Sequence, residues 1–376
     1  MKRMTATTLA FAIAGVGLAG HADAQERIRV GFMSPLTGPQ AANGGDNRDG
    51  ALLAVKEINA RGLKIGGKPL LFELDLNDDA ADPKQGVQAA QTLVDKKIGF
   101  VIGPYNSGVT LPASRVFADA GVVVLTVASN PKVTEQGQRN LFRIGASDNQ
   151  LGVKMAVYAG QDLKIKTVAV IDDRTSYGQG VAREFVQEAK RQGIKVVATE
   201  FTTDKATDFT AILTSIRATK PDAIFYGGYS SQAGPMLRQM RSLGLGMPLL
   251  GGDGICSSET VTLSQIASGI NAYCTQGGSL LDKVEKGQKF IERYRAEYKR
   301  DPLTYAAAFY DGVGLLADAI QATQSTDPKK LIDHLAKGKY AGVAGEYAYD
   351  DKHDLRSSAV TVFTFKGRDV VPLKGL

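Results

Sequence analysis

Two serines and their loops are placed to bind an anion. Ser107 follows the apolar run 100–102 and lies where a helix begins, and the free N–H groups and dipole of a helix start favour a negative group. Ser129 follows the apolar run 122–126, in a loop that offers its hydroxyl and backbone N–H groups. Open α/β sheets bind ligands at the carboxyl ends of their strands, so we expect the two loops to converge on one anion, such as a carboxylate.

Three later residues occupy the same kind of position, just past an apolar run. They are Tyr177, Tyr229 and Asp253. Asp253 stands in a Gly-Asp-Gly string and is the candidate partner for a cation. Each of the three by itself also fits an ordinary turn, where Gly and Asp are common. Their shared placement after strands favours a ligand site.

The composition leaves little material for most enzyme chemistries. The 376 residues contain three His and two Cys, which makes a multi-ligand zinc site or a His-based triad difficult to build. No GxxxxGK[ST], HExxH or GxSxG string is found after the N-terminal region. The acidic pairs Asp78-Asp79 and Asp172-Asp173 fit turns and helix caps better than a catalytic dyad. We expect His334 and His353 at the surface, with no metal and no cofactor bound.

Residues 1–24 predict a secretory signal peptide. Lys2 and Arg3 give a basic start, residues 9–18 are apolar, and Ala22-Asp23-Ala24 is a small-x-small cleavage site. A short buried first helix is the alternative. A GxGxxG string at 15–20 lies in this leader with no strand before it, so it does not predict a nucleotide site. No Cys follows the leader closely, and we therefore expect an exported protein without a lipid anchor.

The charge pattern does not suggest a nucleic-acid partner. The formal net charge of +6 is mild, and the most basic segment, 283–300, is interleaved with Glu285, Glu292 and Glu297, as on a solvated helix face. With 43% hydrophobic and 22% charged residues, the composition is that of an ordinary globular protein.

Cys256 and Cys274 are predicted to form a disulfide. An exported chain reaches an oxidising compartment, where two thiols this close in sequence usually pair. A loop of that size predicts a stabilisation of roughly 3 kcal/mol. Two buried free thiols are the alternative.

Apolar runs alternate with amphipathic stretches, which predicts two doubly wound α/β units. The first begins with a strand at 28–33 and a helix at 46–61, for which Asp46 is the predicted N-cap. The second contains the run Val168-Ala169-Val170-Ile171, which suits a parallel sheet covered by helices on both faces. After Cys274 we predict helices at 283–300, 305–323 and 327–337, then strands at 347–349 and 359–365.

Several short strings, weak singly and specific jointly, extend over nearly the whole chain after the leader. They are Ser34-Pro35 to Gly38-Pro39, Asp82-Pro83-Lys84-Gln85, Ile102-Gly103, Pro112-Ala113-Ser114, Tyr177-Gly178, Tyr226-Gly227-Gly228-Tyr229, Leu237-Arg238-Gln239 and Gly251 to Gly254. In these strings the chain resembles the periplasmic leucine/isoleucine/valine-binding proteins, the solute-binding subunits of ATP-driven importers of branched-chain amino acids.

The resemblance implies a type I periplasmic binding fold, with two doubly wound parallel-sheet lobes joined by a three-crossing hinge. The crossings would fall near Ala146, Gly277 and Leu355. Lobe 1 would comprise residues 25–146 and 278–354, and lobe 2 residues 147–277 and 355–376.

The resemblance also implies roles for individual residues. Ser107, Ala128 and Ser129 would hold the carboxylate of an amino acid, and Asp253, where the family commonly has Glu, would take the ammonium group. Burying a zwitterion is tolerable only when both charged ends gain hydrogen bonds. We therefore expect Asp253→Ala to weaken binding by at least 10-fold, or roughly 1.4 kcal/mol.

Four tyrosines complete the implied site. Tyr177 and Tyr229 would close over the ligand from lobe 2, while Tyr105 and Tyr305 would line the side-chain pocket. Asn43 stands where the family commonly has an aromatic residue, which leaves the ligand's side chain open.

These observations predict a binding protein, not an enzyme. It would capture a branched-chain or other hydrophobic amino acid and deliver it, as a monomer, to the membrane permease of an ATP-driven importer. The alternatives are a binding protein for another small acid or amide, a ligand sensor that acts on a receptor, and a secreted hydrolase.

Overall fold

The computed structural model of the protein describes residues 26–373, so the predicted signal peptide lies outside the described residues. Two sheets dominate this part of the chain. The strands of the first sheet are β1 (Glu26–Ser34), β2 (Lys64–Ile65), β3 (Lys68–Asp78), β4 (Phe100–Ile102), β5 (Val123–Thr126) and β6 (Leu141–Arg143). Their order across the sheet is β2-β3-β1-β4-β5-β6, and all pairs except the β2–β3 hairpin are parallel.

The second sheet has seven strands. In chain order the further strands are β7 (Thr167–Asp172), β8 (Lys195–Phe201), β9 (Ala223–Gly227), β10 (Leu249–Gly251), β11 (Ala272–Gly277), the separate pair β12 (Tyr340–Ala341) and β13 (Glu346–Tyr347), and then β14 (Val360–Lys366) and β15 (Asp369–Pro372). The order of the second sheet is β15-β14-β11-β10-β9-β7-β8.

Helices cover both sheets, as the sequence predicts. They are α1 (Ala41–Arg61), α2 (Pro83–Asp95), α3 (Ser107–Asp119), α4 (Asp148–Gln161), α5 (Ser176–Arg191), α6 (Thr210–Thr219), α7 (Ser230–Ser242), α8 (Ser258–Ser264), α9 (Glu285–Tyr298), α10 (Ala306–Thr323) and α11 (Pro328–Lys337). The predicted apolar run Val168–Ile171 is fully buried in β7, which is the pattern of a strand covered on both faces. The predicted α/β class with two wound sheets is confirmed.

The prediction that Asp46 caps the first helix is wrong. α1 begins at Ala41, five residues earlier, and its first turns include Gly44, where a Cβ would lie 1.7 Å from the carbonyl oxygen of Pro35. Asp46 is instead buried inside the helix and accepts hydrogen bonds from Tyr294, Arg300 and the backbone N–H of Leu303. This carboxylate therefore fastens the segment that leads to Tyr305.

The second sheet also differs from the prediction near its edge. The sequence reasoning missed β11, α8 and β15, and it predicted only parallel pairing, whereas β14 and β15 run antiparallel. The predicted strand at 347–349 reaches only Tyr347, and Tyr349 forms a single bridge to Leu355. Short strands of two to six residues carry too little periodicity to be recognised from sequence.

His353 is buried, which contradicts its predicted surface position. Its ring stacks on Phe142 with centroids 4.1 Å apart, and its Nδ1 lies 3.2 Å from the carbonyl oxygen of Leu141. Burial lowers the pKa of this imidazole. The residue thus belongs to the interior contact between β6 and the segment before β14.

Three connections link the two sheets. The chain leaves β6 for α4, which packs on the second sheet, returns from β11 to α9 to α11 beside the first, and crosses again between β13 and β14. The predicted crossing points Ala146, Gly277 and Leu355 lie in or at the end of these connections and line a cavity of about 440 Å³ between them. None of the helices within 26–373 has the length and apolarity needed to span a bilayer.

Candidate functional site

The carboxyl ends of the two sheets face each other, and the predicted site residues lie between them. Ser107, Ala128 and Ser129 follow strands of the first sheet, whereas Tyr177, Tyr229 and Asp253 follow strands of the second. Tyr105 precedes α3 and Tyr305 precedes α10, and both come from the side of the first sheet. All eight predicted residues are buried, with exposed fractions of 7% or less. We call the space that they enclose the cleft.

Asp253 is the centre of the polar contacts in the cleft. Tyr177 Oη donates to Asp253 Oδ1 over 2.7 Å, and Tyr305 Oη donates to Oδ2 from the opposite side. The backbone N–H of Gly254 in turn donates to Tyr177 Oη. Burial raises the pKa of the Asp253 carboxyl, and the two phenols moderate that shift. Two tyrosines therefore hold this buried acid in place, and no Lys or Arg within residues 26–373 forms an ion pair with it.

The four tyrosines form a continuous aromatic wall around Asp253. The ring centroids of Tyr177 and Tyr229 are 4.9 Å apart, those of Tyr105 and Tyr229 6.2 Å, and those of Tyr105 and Tyr305 5.8 Å. Such separations suit edge-on and tilted aromatic pairs. Burial and the negative charge of Asp253 raise the pKa of the Tyr105 hydroxyl, so it stays protonated. The wall offers apolar faces to a ligand and hydroxyl groups at its edges.

The two predicted anion-binding loops do converge. The Ser107 hydroxyl accepts a hydrogen bond of 3.2 Å from the backbone N–H of Asn130, which joins the start of α3 to the loop after β5. The N–H of Ala128 already donates to the Thr126 hydroxyl, over 3.0 Å. The first N–H groups of α3 have no acceptor within the helix. Ser107 and Ser129 are therefore better placed than Ala128 to donate to an anion.

Asp148, which the sequence reasoning missed, is a second buried acid in the cleft. It is the first residue of α4, and its carboxylate makes no close hydrogen bond among the described residues, although the Ser129 hydroxyl beside it partly offsets the effect of burial on its pKa. Burial, and then the charge of Asp253, raise its pKa well above the usual range. Acids are so common at helix starts that no sequence signal distinguishes this one. With Asp253, it makes the cleft favourable for a positive group.

Side chains also meet across the mouth of the cleft. Asn130 Nδ2 donates to the carbonyl oxygen of Ser176 over 2.5 Å, and Asn43 Nδ2 to Glu259 Oε2 over 3.3 Å. Burial raises the pKa of Glu259 to about 7. Each contact joins a residue beside the first sheet to one beside the second, so the structure has a closed cleft.

Cys256 and Cys274 form the predicted disulfide, with Cα atoms 5.3 Å apart. It connects the turn that follows Asp253 to β11, the neighbour of β10 in the sheet. The carbonyl oxygen of Cys256 also accepts from the Thr304 hydroxyl, next to Tyr305. The disulfide therefore braces the loop that carries the central acid.

Removing this disulfide should destabilise the protein without abolishing the fold. Replacing both cysteines by serine is expected to lower the free energy of unfolding by about 3 kcal/mol, because the unfolded chain loses a constraint. Urea unfolding of the variant and of the parent protein, each with and without a reducing agent, measures the effect. The reductant should destabilise only the parent, and an equal response of both proteins would contradict the prediction.

Comparison with known proteins agrees with this arrangement. Residues 27–369 match the family model described as periplasmic binding protein. The chain is 35% identical over 358 residues to an amino acid binding protein of Pseudomonas aeruginosa, covering 94% of each chain. It is 33% identical over 347 residues to Leu/Ile/Val-binding protein homolog 1 of Brucella suis, covering 91% of each chain.

The fold agrees with solved structures as well. The branched-chain amino acid transporter substrate-binding protein LivJ of Streptococcus pneumoniae, in complex with isoleucine, superposes with a TM-score of 0.84 at 31% identity, covering 93% of this chain and 100% of that one. A leucine-binding protein of Thermotoga maritima gives the same TM-score at 27% identity, covering 92% and 97%. The predicted type I periplasmic binding fold is thus confirmed, and the chain belongs to the periplasmic binding protein family, as a relative of its Leu/Ile/Val-binding members.

Proposed function

We propose that the protein is the periplasmic substrate-binding component of an ATP-driven importer and that it binds a branched-chain or other hydrophobic amino acid in the cleft. The observation that carries this proposal is that the closed cleft contains both hydrogen-bond donors suited to a carboxylate and an acid suited to an ammonium group. Ser107 and Ser129 offer hydrogen-bond donors for a carboxylate, and Asp253 offers a buried negative group for an ammonium ion. The aromatic wall between them suits an apolar side chain.

Desolvation of the ligand explains why binding and closure of the cleft are coupled. A zwitterion gives up strong hydration when the cleft closes, and only donors at one end and an acid at the other compensate that loss. Tyr177 belongs to the same half of the protein as Asp253, whereas Tyr305 comes from the other half, so the second hydrogen bond to the acid forms only when the two halves come together. Ligand binding and closure are therefore coupled, and only the closed form presents both halves to a partner.

The division into two moving bodies is part of the proposal. Lobe 1 comprises residues 25–146 and 278–354, and lobe 2 comprises residues 147–277 and 355–376. The three connections between the sheets support this division, because chain segments that cross between two compact units can act as a hinge. The protein works as a monomer in the periplasm after loss of residues 1–24, and a permease is its membrane partner.

Thermal-shift screening of the refolded protein tests the ligand class. Refolding removes bound ligand, and a compound that binds only the folded state stabilises it, by about 4 kcal/mol at 1,000 times its Kd. Leucine, isoleucine or valine should give the largest increase in Tm among amino acids and small organic acids.

Two analogues of leucine serve as matched controls and separate the contribution of its ammonium group from that of its carboxylate. The compound 4-methylpentanoate lacks the ammonium group of leucine, and isoamylamine lacks its carboxylate. Both should shift the Tm far less than leucine does. A larger shift with either control, or with a non-amino acid, would overturn the assignment of an amino acid to this cleft.

A further inference from the structure

Arg143 lies directly behind the loop proposed to bind the ligand carboxylate. It is the last residue of β6 and is completely buried. Its guanidinium donates to the backbone carbonyl oxygens of Ala128 and of Asn130, the latter over 3.2 Å. It also donates to the Thr134 hydroxyl over 3.0 Å. One side chain thus forms hydrogen bonds to three positions of the loop from Ala128 to Thr134.

The contact with Ala128 fixes the direction of the next N–H group. In a trans peptide the C=O and N–H bonds point in opposite directions, and the Ala128–Ser129 peptide is trans. Because the Ala128 carbonyl points at the guanidinium, the N–H of Ser129 points away from it. The hydrogen bond from Arg143 therefore selects which face of the loop presents a donor.

The same peptide group is also polarised by the guanidinium. Hydrogen bonds in a chain polarise one another, and the effect is larger inside a protein than in water. A guanidinium bound to the carbonyl makes the N–H on the other end of that peptide a stronger donor. None of the eight predicted site residues is a Lys or Arg, so Arg143 would supply positive charge to the ligand carboxylate from one peptide away.

Arg143 also connects this loop to the third connection between the sheets. Its Nε donates to Asp354 Oδ1 over 2.8 Å, and its backbone N–H donates to the carbonyl oxygen of His353. Asp354 is partly exposed, with 20% of its side chain accessible, and it opposes the charge of the guanidinium. The strength of the Ser129 donor therefore depends on the guanidinium of Arg143 and on the two acids near it, Asp354 and the buried Asp148 whose backbone N–H donates to the Ser129 carbonyl oxygen.

We propose that Arg143 is a positioning residue for the ligand carboxylate, acting through the Ala128–Ser129 peptide, with Asp354 as the counter-charge that tunes it. This inference rests on the proposed function, because it takes the ligand carboxylate to bind at Ser129. It predicts that changes at Arg143 and Asp354 alter discrimination between an acid and its amide, and that they do so in opposite directions.

The test compares leucine with leucinamide, in which a neutral amide replaces the carboxylate. Affinities are measured by calorimetry for the parent protein and for Arg143→Lys and Asp354→Asn. Lysine keeps the charge but cannot make the same planar set of bonds, so the preference for leucine should fall about 5-fold. In Asp354→Asn the uncompensated guanidinium should increase that preference about 2-fold. Arg183→Lys, a surface change in α5, is the matched control and should leave the preference unchanged.

A merely structural Arg143 gives a different pattern. In that case Arg143→Lys would lower the affinity for leucine and for leucinamide by the same factor, and Asp354→Asn would not increase the preference for leucine over leucinamide. Observing the first result for Arg143→Lys, or the second for Asp354→Asn, overturns the proposal. If Arg143→Lys does not fold, the opposite-sign prediction for Asp354→Asn decides alone.

The proposed function fails in a distinguishable way. If the parent protein prefers a carboxylic acid that is not an amino acid, the amino-acid assignment is lost. The same comparison with that acid and its primary amide still tests Arg143.

Discussion

Replacing Asp253 by alanine is expected to weaken leucine binding about 100-fold, or about 2.7 kcal/mol. The substitution removes the acid that would face the ligand ammonium and leaves the hydroxyls of Tyr177 and Tyr305 without their acceptor. A buried charge that loses its partner is costly, because no water replaces the lost bonds in a closed cleft. Calorimetric titration of the refolded protein with leucine measures the loss.

Two comparisons establish that the loss concerns the ammonium group. Asp253→Asn keeps the shape of the side chain but not its charge, and should weaken leucine binding nearly as much as alanine does. The affinity for 4-methylpentanoate, which has no ammonium group, should be nearly unaffected by Asp253→Asn. Glu285→Ala removes an acid from an exposed ion pair and serves as the control that should leave leucine affinity unchanged. Equal losses for leucine and 4-methylpentanoate would mean that Asp253 does not bind the ammonium group.

A large side chain at Gly108 is expected to weaken binding at least about 30-fold by keeping the cleft open, since the apparent affinity falls with the population of the closed form. Gly108 lies in the first turn of α3, opposite the start of α5. A Cβ at this position would lie 3.7 Å from Ser176 Oγ, an ordinary contact, so alanine fits the closed form. The remaining atoms of a leucine side chain would extend into Ser176 and force the two helix starts apart.

Gly108→Ala is therefore the matched control for Gly108→Leu. The alanine variant should bind leucine like the parent protein, whereas the leucine variant should bind weakly. Leucine is compatible with α3 because Gly108 has no positive φ and is only partly buried, so urea unfolding of the two ligand-free variants should be similar. Small-angle scattering should show compaction on adding leucine only for the alanine variant. Compaction and full affinity in Gly108→Leu would exclude closure at this contact.

The contrast between the two acids Asp46 and Asp253 illustrates the limits of prediction from sequence. Asp253 follows a short strand, and the placement that it shares with Tyr177 and Tyr229 predicts a role in a ligand site. That role stays a prediction, and the structure shows the carboxylate buried between Tyr177 and Tyr305. Asp46 precedes an amphipathic stretch and was predicted as a helix cap. It proved to be an interior anchor for Arg300, a residue far along the chain. Whether a residue lies next to a strand or a helix can be read from its neighbours in sequence, whereas its burial depends on residues that pack on it from distant parts of the chain.

The sequence by itself determined the alternation of strands and helices, the leader prediction, the pairing of the two cysteines and the loops in which we propose the site. Each of these follows from periodicity, composition or short spacing, which are properties of neighbouring residues. Only the tertiary structure decided that Asp148 is a second acid in the cleft and that His353 is buried. It also decided that Arg143 joins the carboxylate loop to Asp354. These features need residues up to 212 positions apart to meet, and that proximity is created by folding and not by local pattern.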